Sequence, residues 1–138
     1  MVYTVSKEFT FEAAHRLIEN YTGKCTNNHG HSWVIKLSAE SKQLDNKGLV
    51  IDFQEMKKLK NWIDDELDHA TILWENDPMC NYIHDSGQRL FRTKGNPTSE
   101  RIGEIIFSKA SEMFNNDQIR VVCVEVAETC TSAAQIRI

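Results

Sequence analysis

Seven residues, Cys25-Thr26-Asn27-Asn28-His29-Gly30-His31, gather a thiol and two imidazoles. On an extended backbone, side chains two apart point the same way at a spacing of roughly 7 Å, so His29 and His31 can lean onto one metal ion. A third ligand must come from elsewhere. Upstream, the odd positions Tyr3, Val5, Phe9, Phe11 and Ala13 are apolar among mostly polar even ones, and His15 closes that face. From His31 the odd positions Trp33, Ile35, Leu37 and Ala39 alternate with Ser32, Lys36, Ser38 and Glu40, interrupted only by Val34. Both stretches have the period of half-buried strands. Paired antiparallel across a loop of roughly residues 16 to 28, they set His15 near His31 on one face, with Cβ atoms about 5 Å apart. Gly30 is expected to let the backbone pass close to its neighbour.

Three neutral imidazoles without a carboxylate favour zinc over the two-histidine, one-carboxylate set of non-haem iron. Three protein ligands also leave a position open, as a catalytic zinc requires. Cys25 lies beside Lys24 in a loop of turn formers (Asn20, Gly23, Asn27, Asn28), close to the expected cation, surroundings that favour a thiolate acting as base or nucleophile. Cys123, set among valines, reads instead as a small buried apolar group. Asp68-His69 has two readings: a solvated helix end with a histidine placed by the helix dipole, or a proton relay whose carboxylate sets the imidazole tautomer. Glu128 shares the parity of Val122, Val124 and Val126, so its carboxylate must find a partner, in an ion pair or in function.

The elements that carry these groups are partly legible. After a turn over residues 43–48, Asp52-Phe53-Gln54-Glu55 opens a helix with Asp52 as cap and Glu55 in capping-box position, and Met56, Leu59, Ile63 and Leu67 form its apolar stripe. Pro97-Thr98-Ser99-Glu100 opens a second, with Ile102, Ile105, Ile106, Ala110 and Met113 facing inward. Residues 70–96 read as loop with at most one short strand near Leu90-Phe91. Strands over 119–128 and 134–138 complete a β-β-α-α-β-β order.

Length and composition bound the rest. A chain of 138 residues at 41% hydrophobic content suits one domain over 1–138 with an adequate core. A net charge of -4 argues against nucleic-acid or membrane-surface partners, so an anionic ligand would need local cations. No apolar run approaches the roughly 20 residues of a membrane span, and Met1-Val2-Tyr3-Thr4 lacks signal-peptide character. A cytoplasmic protein with four free thiols, Cys25, Cys80, Cys123 and Cys130, is expected.

In order along almost the whole chain, His15, Cys25-x3-His29-Gly30-His31, Leu67-Asp68-His69, Pro97-Thr98-Ser99-Glu100 and Glu128-Thr129 resemble the motifs of the 6-pyruvoyl-tetrahydropterin synthase and 6-carboxytetrahydropterin synthase family. The three-residue gap between Cys25 and His29 is similar to that of the bacterial carboxy-forming branch of queuosine biosynthesis; the animal pyruvoyl enzymes have a longer one. The resemblance implies an α+β tunnelling fold: an antiparallel four-stranded sheet with two helices on one face, closing into an oligomeric barrel, with trimers stacked as a hexamer. It implies Zn2+ on His15, His29 and His31, acidifying the side chain of 7,8-dihydroneopterin triphosphate. Cys25 would move the proton, relayed by His69 and oriented by Asp68, from the same or a neighbouring subunit. Glu128 would anchor the pterin ring and Glu100 would be a further substrate contact, with Arg16 and Lys24 as cations near the triphosphate. The implied products are 6-carboxy-5,6,7,8-tetrahydropterin, acetaldehyde and triphosphate. Rival readings are a pyruvoyl product or side-chain removal from a related pterin on the same scaffold, and a zinc-stabilised pterin-binding module without turnover.

Overall fold

The computed structural model describes residues 1–138. Strands β1 (Tyr3–His15) and β2 (His29–Ser41) form a long antiparallel pair in unbroken register, from Tyr3 opposite Ser41 to His15 opposite His29. Their odd residues point into the core, as alternation requires, and Phe11 stacks on the Trp33 directly opposite it, ring centroids 5.8 Å apart. Helix α1 (Phe53–Glu66) buries Met56, Leu59 and Ile63 against this face, with Leu67 buried just past its end. Asp52 caps it by accepting from the Gln54 N–H at 2.9 Å. Only half of a capping box is made, because Glu55 pairs instead with Lys58 at 2.7 Å. Helix α3 (Ser99–Phe114) shares the face with α1 and is capped by the Thr98 hydroxyl, which accepts from the Arg101 N–H.

The region between the helices is not a loop. It holds β3 (Ala70–Trp74), a short helix α2 (Met79–Asp85) and β4 (Leu90–Thr93). With β5 (Arg120–Thr129) and β6 (Ser132–Arg137) they give a six-stranded sheet in the order β4-β3-β1-β2-β5-β6, where four antiparallel strands were expected. Strands β3 and β4 run parallel to β1 and to each other, so no hairpin turn announces them. The Ala70-Thr71-Ile72-Leu73 stretch is buried throughout and carries no alternation to read. Ile72 joins the main core, whereas its neighbour Leu73 packs with Cys80 and Ile83, which places α2 on the opposite face of the sheet.

Strand β5 departs from simple alternation. Ser38 pairs with Cys123 and Ala39 with Val121, leaving Val122 as the extra residue of a bulge, so Val121 rather than Val122 is buried with Val124 and Val126. Gly103 lets α3 press onto the sheet, since a Cβ there would lie 2.1 Å from Ile136 Cδ1. Gly30 plays no such part: the nearest atom to a Cβ at that position would be the Ala13 carbonyl oxygen at 3.8 Å, an ordinary contact. No helix is long and apolar enough to cross a membrane.

Candidate metal centre and active site

His15 ends β1 and is only 2% exposed. Its backbone is held on both sides, opposite His29 of β2 and alongside Ile72 of β3. Because β2 begins at His29, the residue directly across from His15 is His29; His31 lies opposite Ala13, one pleat further along. All three rings still converge, with centroids 4.7 Å (His15–His29), 5.2 Å (His15–His31) and 4.9 Å (His29–His31) apart. Trp33 supports them edge-on, its ring 4.9 Å from His15 and 5.5 Å from His31.

Hydrogen bonding sets which nitrogen of each ring is free. His15 Nδ1 donates to the Pro97 carbonyl at 2.8 Å and His29 Nδ1 to the Asn27 carbonyl at 2.7 Å. A carbonyl can only accept, so in the neutral ring each Nε2 keeps its lone pair. Burial pushes the His15 pKa down, against the opposing effects of the Pro97 carbonyl and Glu128, which favours the neutral ring. Its Nε2 is buried without a hydrogen-bond partner. Such an orphaned acceptor is costly unless a cation completes it. One ligating atom from each of His15, His29 and His31 lies within 4.8 Å of the others. Three imidazoles, two of them oriented by backbone carbonyls, are a donor set that suits zinc.

Cys25 sits half-buried in a turn of 3-10 helix, Lys24–Thr26, on the loop that joins the two ligand strands. Its carbonyl accepts from the Leu17 N–H at 2.8 Å, which folds the loop back on itself. Asn96 clamps the same loop, accepting from the Ile18 and Glu19 N–H groups at 3.1 and 3.0 Å and donating to the Glu19 carbonyl at 2.8 Å. The Tyr21 hydroxyl lies beside Cys25, whose proximity pushes the phenol pKa up. Gly23 leaves room for that ring, since a Cβ there would sit 2.4 Å from the Tyr21 hydroxyl.

Asp68 and His69 form a second constellation. His69 adopts a left-handed backbone, φ 59°, and its N–H donates to the Glu12 carbonyl at 2.6 Å. The Glu12 N–H in turn donates to Asp68 Oδ1 at 2.9 Å, while Asp68 Oδ2 lies 2.9 Å from His69 Nδ1. Burial opposes the Asp68 charge, but the Glu12 N–H and His69 outweigh it and hold the carboxyl below its ordinary range. The carboxylate thus orients the imidazole as a relay needs. The His69 side chain is 78% exposed and opens with His31, Glu12 and Ser32 onto a shallow cavity of about 420 Å³. No hydrogen bond of the chain joins Cys25 to Asp68 or His69.

Of the remaining expected groups, Glu128 reaches the histidine cluster, its Oε2 lying 3.4 Å from His15 Nε2 and 3.3 Å from His31 Nε2. Glu100 stands exposed in the first turn of α3, just beyond the Pro97 carbonyl that holds His15. Lys24 is exposed. Arg16 is already engaged: its Nε and Nη2 grip both oxygens of buried Asp77 at 2.8 and 2.5 Å. Asp77, Asn96, Tyr21 and the Pro97 carbonyl escaped sequence reasoning. The only hint was the turn-forming run Gly95-Asn96-Pro97.

The 6-pyruvoyl tetrahydropterin synthase family model matches residues 4–138. The chain is 33% identical over 131 residues to the 6-carboxy-5,6,7,8-tetrahydropterin synthase of Rickettsia bellii, covering 90% of this chain and 92% of that protein. It is 32% identical over 139 residues to the protein of the same name from Haemophilus influenzae, covering 95% and 96%. Among solved structures, an uncharacterised Wolinella succinogenes protein superposes with a TM-score of 0.85 at 23% identity, covering 99% of this chain and 98% of that one. The 6-pyruvoyl tetrahydropterin synthase of Plasmodium vivax superposes at 0.78 and 18% identity, covering 100% and 99%, and both likenesses speak for the fold. With its three-histidine cluster, its α+β fold and a family match over nearly its full length, the chain belongs to the 6-pyruvoyl tetrahydropterin synthase family.

Proposed function

We propose that the protein is a zinc-dependent lyase that converts 7,8-dihydroneopterin triphosphate and water to 6-carboxy-5,6,7,8-tetrahydropterin, acetaldehyde and triphosphate, in queuosine-type 7-deazapurine biosynthesis. The observation that carries the reading is the buried, hydrogen-bond-orphaned Nε2 of His15 facing His29 and His31 on a family scaffold. Support for the carboxy branch comes from relatives such as the Rickettsia bellii and Haemophilus influenzae proteins, and from the three-residue gap between Cys25 and His29.

His15, His29 and His31 would hold the ion, which when bound supplies Lewis acidity toward the substrate side chain. Cys25, carried on its clamped loop, takes and returns the side-chain proton, and His69 passes it on with Asp68 keeping its Nδ1 side engaged. Glu128 accepts two parallel hydrogen bonds from the pterin 2-amino group and ring N3. Glu100 is a secondary contact, and Lys24 is left as the nearby cation for the triphosphate now that Arg16 is bound to Asp77. The exposure of His69 and the lack of any bond from it to Cys25 favour a site assembled between copies of the chain, in a trimer-based hexamer. Free thiols suit the reducing cytoplasm in which we place the reaction.

Product analysis with dihydroneopterin triphosphate tests this directly. Acetaldehyde with a carboxylated pterin is expected, and both should disappear after chelation and return with zinc. A pyruvoyl pterin without acetaldehyde would move the protein to the other branch, and binding without turnover would reduce it to a pterin-binding module.

A further inference from the structure

Strand β5 carries a second irregularity, at its far end. Ala127 pairs with Ala133 and Thr129 with Ser132, so Glu128 is an extra residue with no cross-strand partner on β6. On the other side of β5, the last pair with β2 is Ala127 with Val34, and continuing that register by one step brings Glu128 beside Trp33, diagonal to His31. The carboxylate therefore turns toward the histidine cluster instead of solvent, its side chain 29% exposed.

There it meets two nitrogens at nearly equal range, His31 Nε2 at 3.3 Å and His15 Nε2 at 3.4 Å. His15 has spent its one ring proton on Pro97, so its Nε2 presents a lone pair to a carboxylate oxygen that presents another. Two lone pairs at that range repel unless a cation lies between them. Ligand atoms about 2.0–2.1 Å from a tetrahedral zinc are separated by about 3.4 Å along the edges of the tetrahedron, the spacing that Glu128 Oε2 keeps from both nitrogens.

We propose that Glu128 is a fourth, exchangeable ligand of the ion held by His15, His29 and His31, closing in the resting protein the position that substrate must take. The proposal rests on the three-histidine metal reading above and adds a sequence of events to it. The same carboxylate cannot face the ion and grip the pterin ring at once. Arrival of the ring's 2-amino and N3 donors gives Glu128 a new partner and uncovers the ion for the side chain. Recognition of the pterin and opening of the metal position become one event, so a small anion or water alone does not open the site.

Cobalt substitution in the full-length protein tests this without any pterin. Cobalt-loaded wild-type protein should show a four-coordinate visible band that responds weakly to azide. In Glu128→Gln, and in Glu128→Asp, whose shorter side chain falls back from the cluster, azide should shift the band with an affinity about tenfold or more higher, because the position is no longer closed most of the time. Wild-type and both variants responding to azide alike would overturn the proposal while leaving the three-histidine site intact. A folded wild-type protein with no cobalt band at all would overturn the metal reading and the proposal together. Since no pterin enters the assay, neither result depends on which pterin product the protein makes.

Discussion

The histidine cluster and the Asp68–His69 pair stand at the same end of the sheet and are built in opposite ways. His15 is 2% exposed, flanked by strands on both sides and fixed in tautomer by a backbone carbonyl; every group it needs is within the chain. His69 is held just as firmly by its backbone, in a left-handed conformation pinned to Glu12, yet its ring points outward with Asp68 alone for company. Holding a bulky residue at positive φ costs of order 1–3 kcal/mol, which the surrounding structure must offset. One region is a closed cluster whose three ligating atoms are already placed to hold an ion. The other is an ordered pair left open to its surroundings, which teaches that local order and enclosure are separate properties of a single chain.

Mixing subunits would break this contrast most decisively. Cys25→Ala and His69→Ala proteins should each be nearly inactive, and when dissociated and reassembled together should recover about a quarter of wild-type turnover if each site takes one group from each of two copies in a ring. No recovery in mixed oligomers shown by mass spectrometry would place both groups in one chain. Asp68→Asn offers a finer cut. The amide oxygen can still accept from the Glu12 N–H, but the charge that orients His69 is gone, so kcat should fall about ten- to a hundredfold while the melting temperature holds. Equal loss of stability and activity would recast the pair as a structural helix end.

The smallest effect concerns the scaffold beneath the first region. Burial raises the cost of the Asp77 charge, yet the Arg16 fork and the Met79 N–H more than compensate and hold its pKa below the unfolded value. Its stabilising contribution is therefore present above about pH 4 and is lost as pH falls through the folded-state value. Asp77→Asn should cost about 3 kcal/mol in urea unfolding at pH 7, with the gap to wild type closing toward pH 2. A gap that stays constant with pH would show that shape rather than charge matters there.

What could be read from the sequence follows from which interactions are local. The alternation of β1 and β2 sits in the chain as a period of two, and pairing those strands brings His15 to the other histidines whatever the rest does. Legibility failed where one residue breaks a period. The bulge at Val122 moves burial to Val121, and the start of β2 at His29 shifts the cross-strand partner of His15 by one pleat. It failed again for β3 and β4, whose pairing is parallel and long-range, and for Asp77, 61 residues from the arginine it neutralises. The exposed placement of Glu100 follows from its position in the first turn of α3, but nothing local says what approaches it.

Residues Ala13–His15 are hydrogen-bonded strand on both edges at once, antiparallel to β2 and parallel to β3. In small zinc domains the ion organises the chain, and losing the ion means losing the fold. Here the ligand frame is a central strand end whose geometry is settled by the sheet, so binding spends little of its free energy on ordering protein. Loss of the proposed ion should therefore leave the sheet and its three histidines standing, and the protein should take the ion up again without refolding.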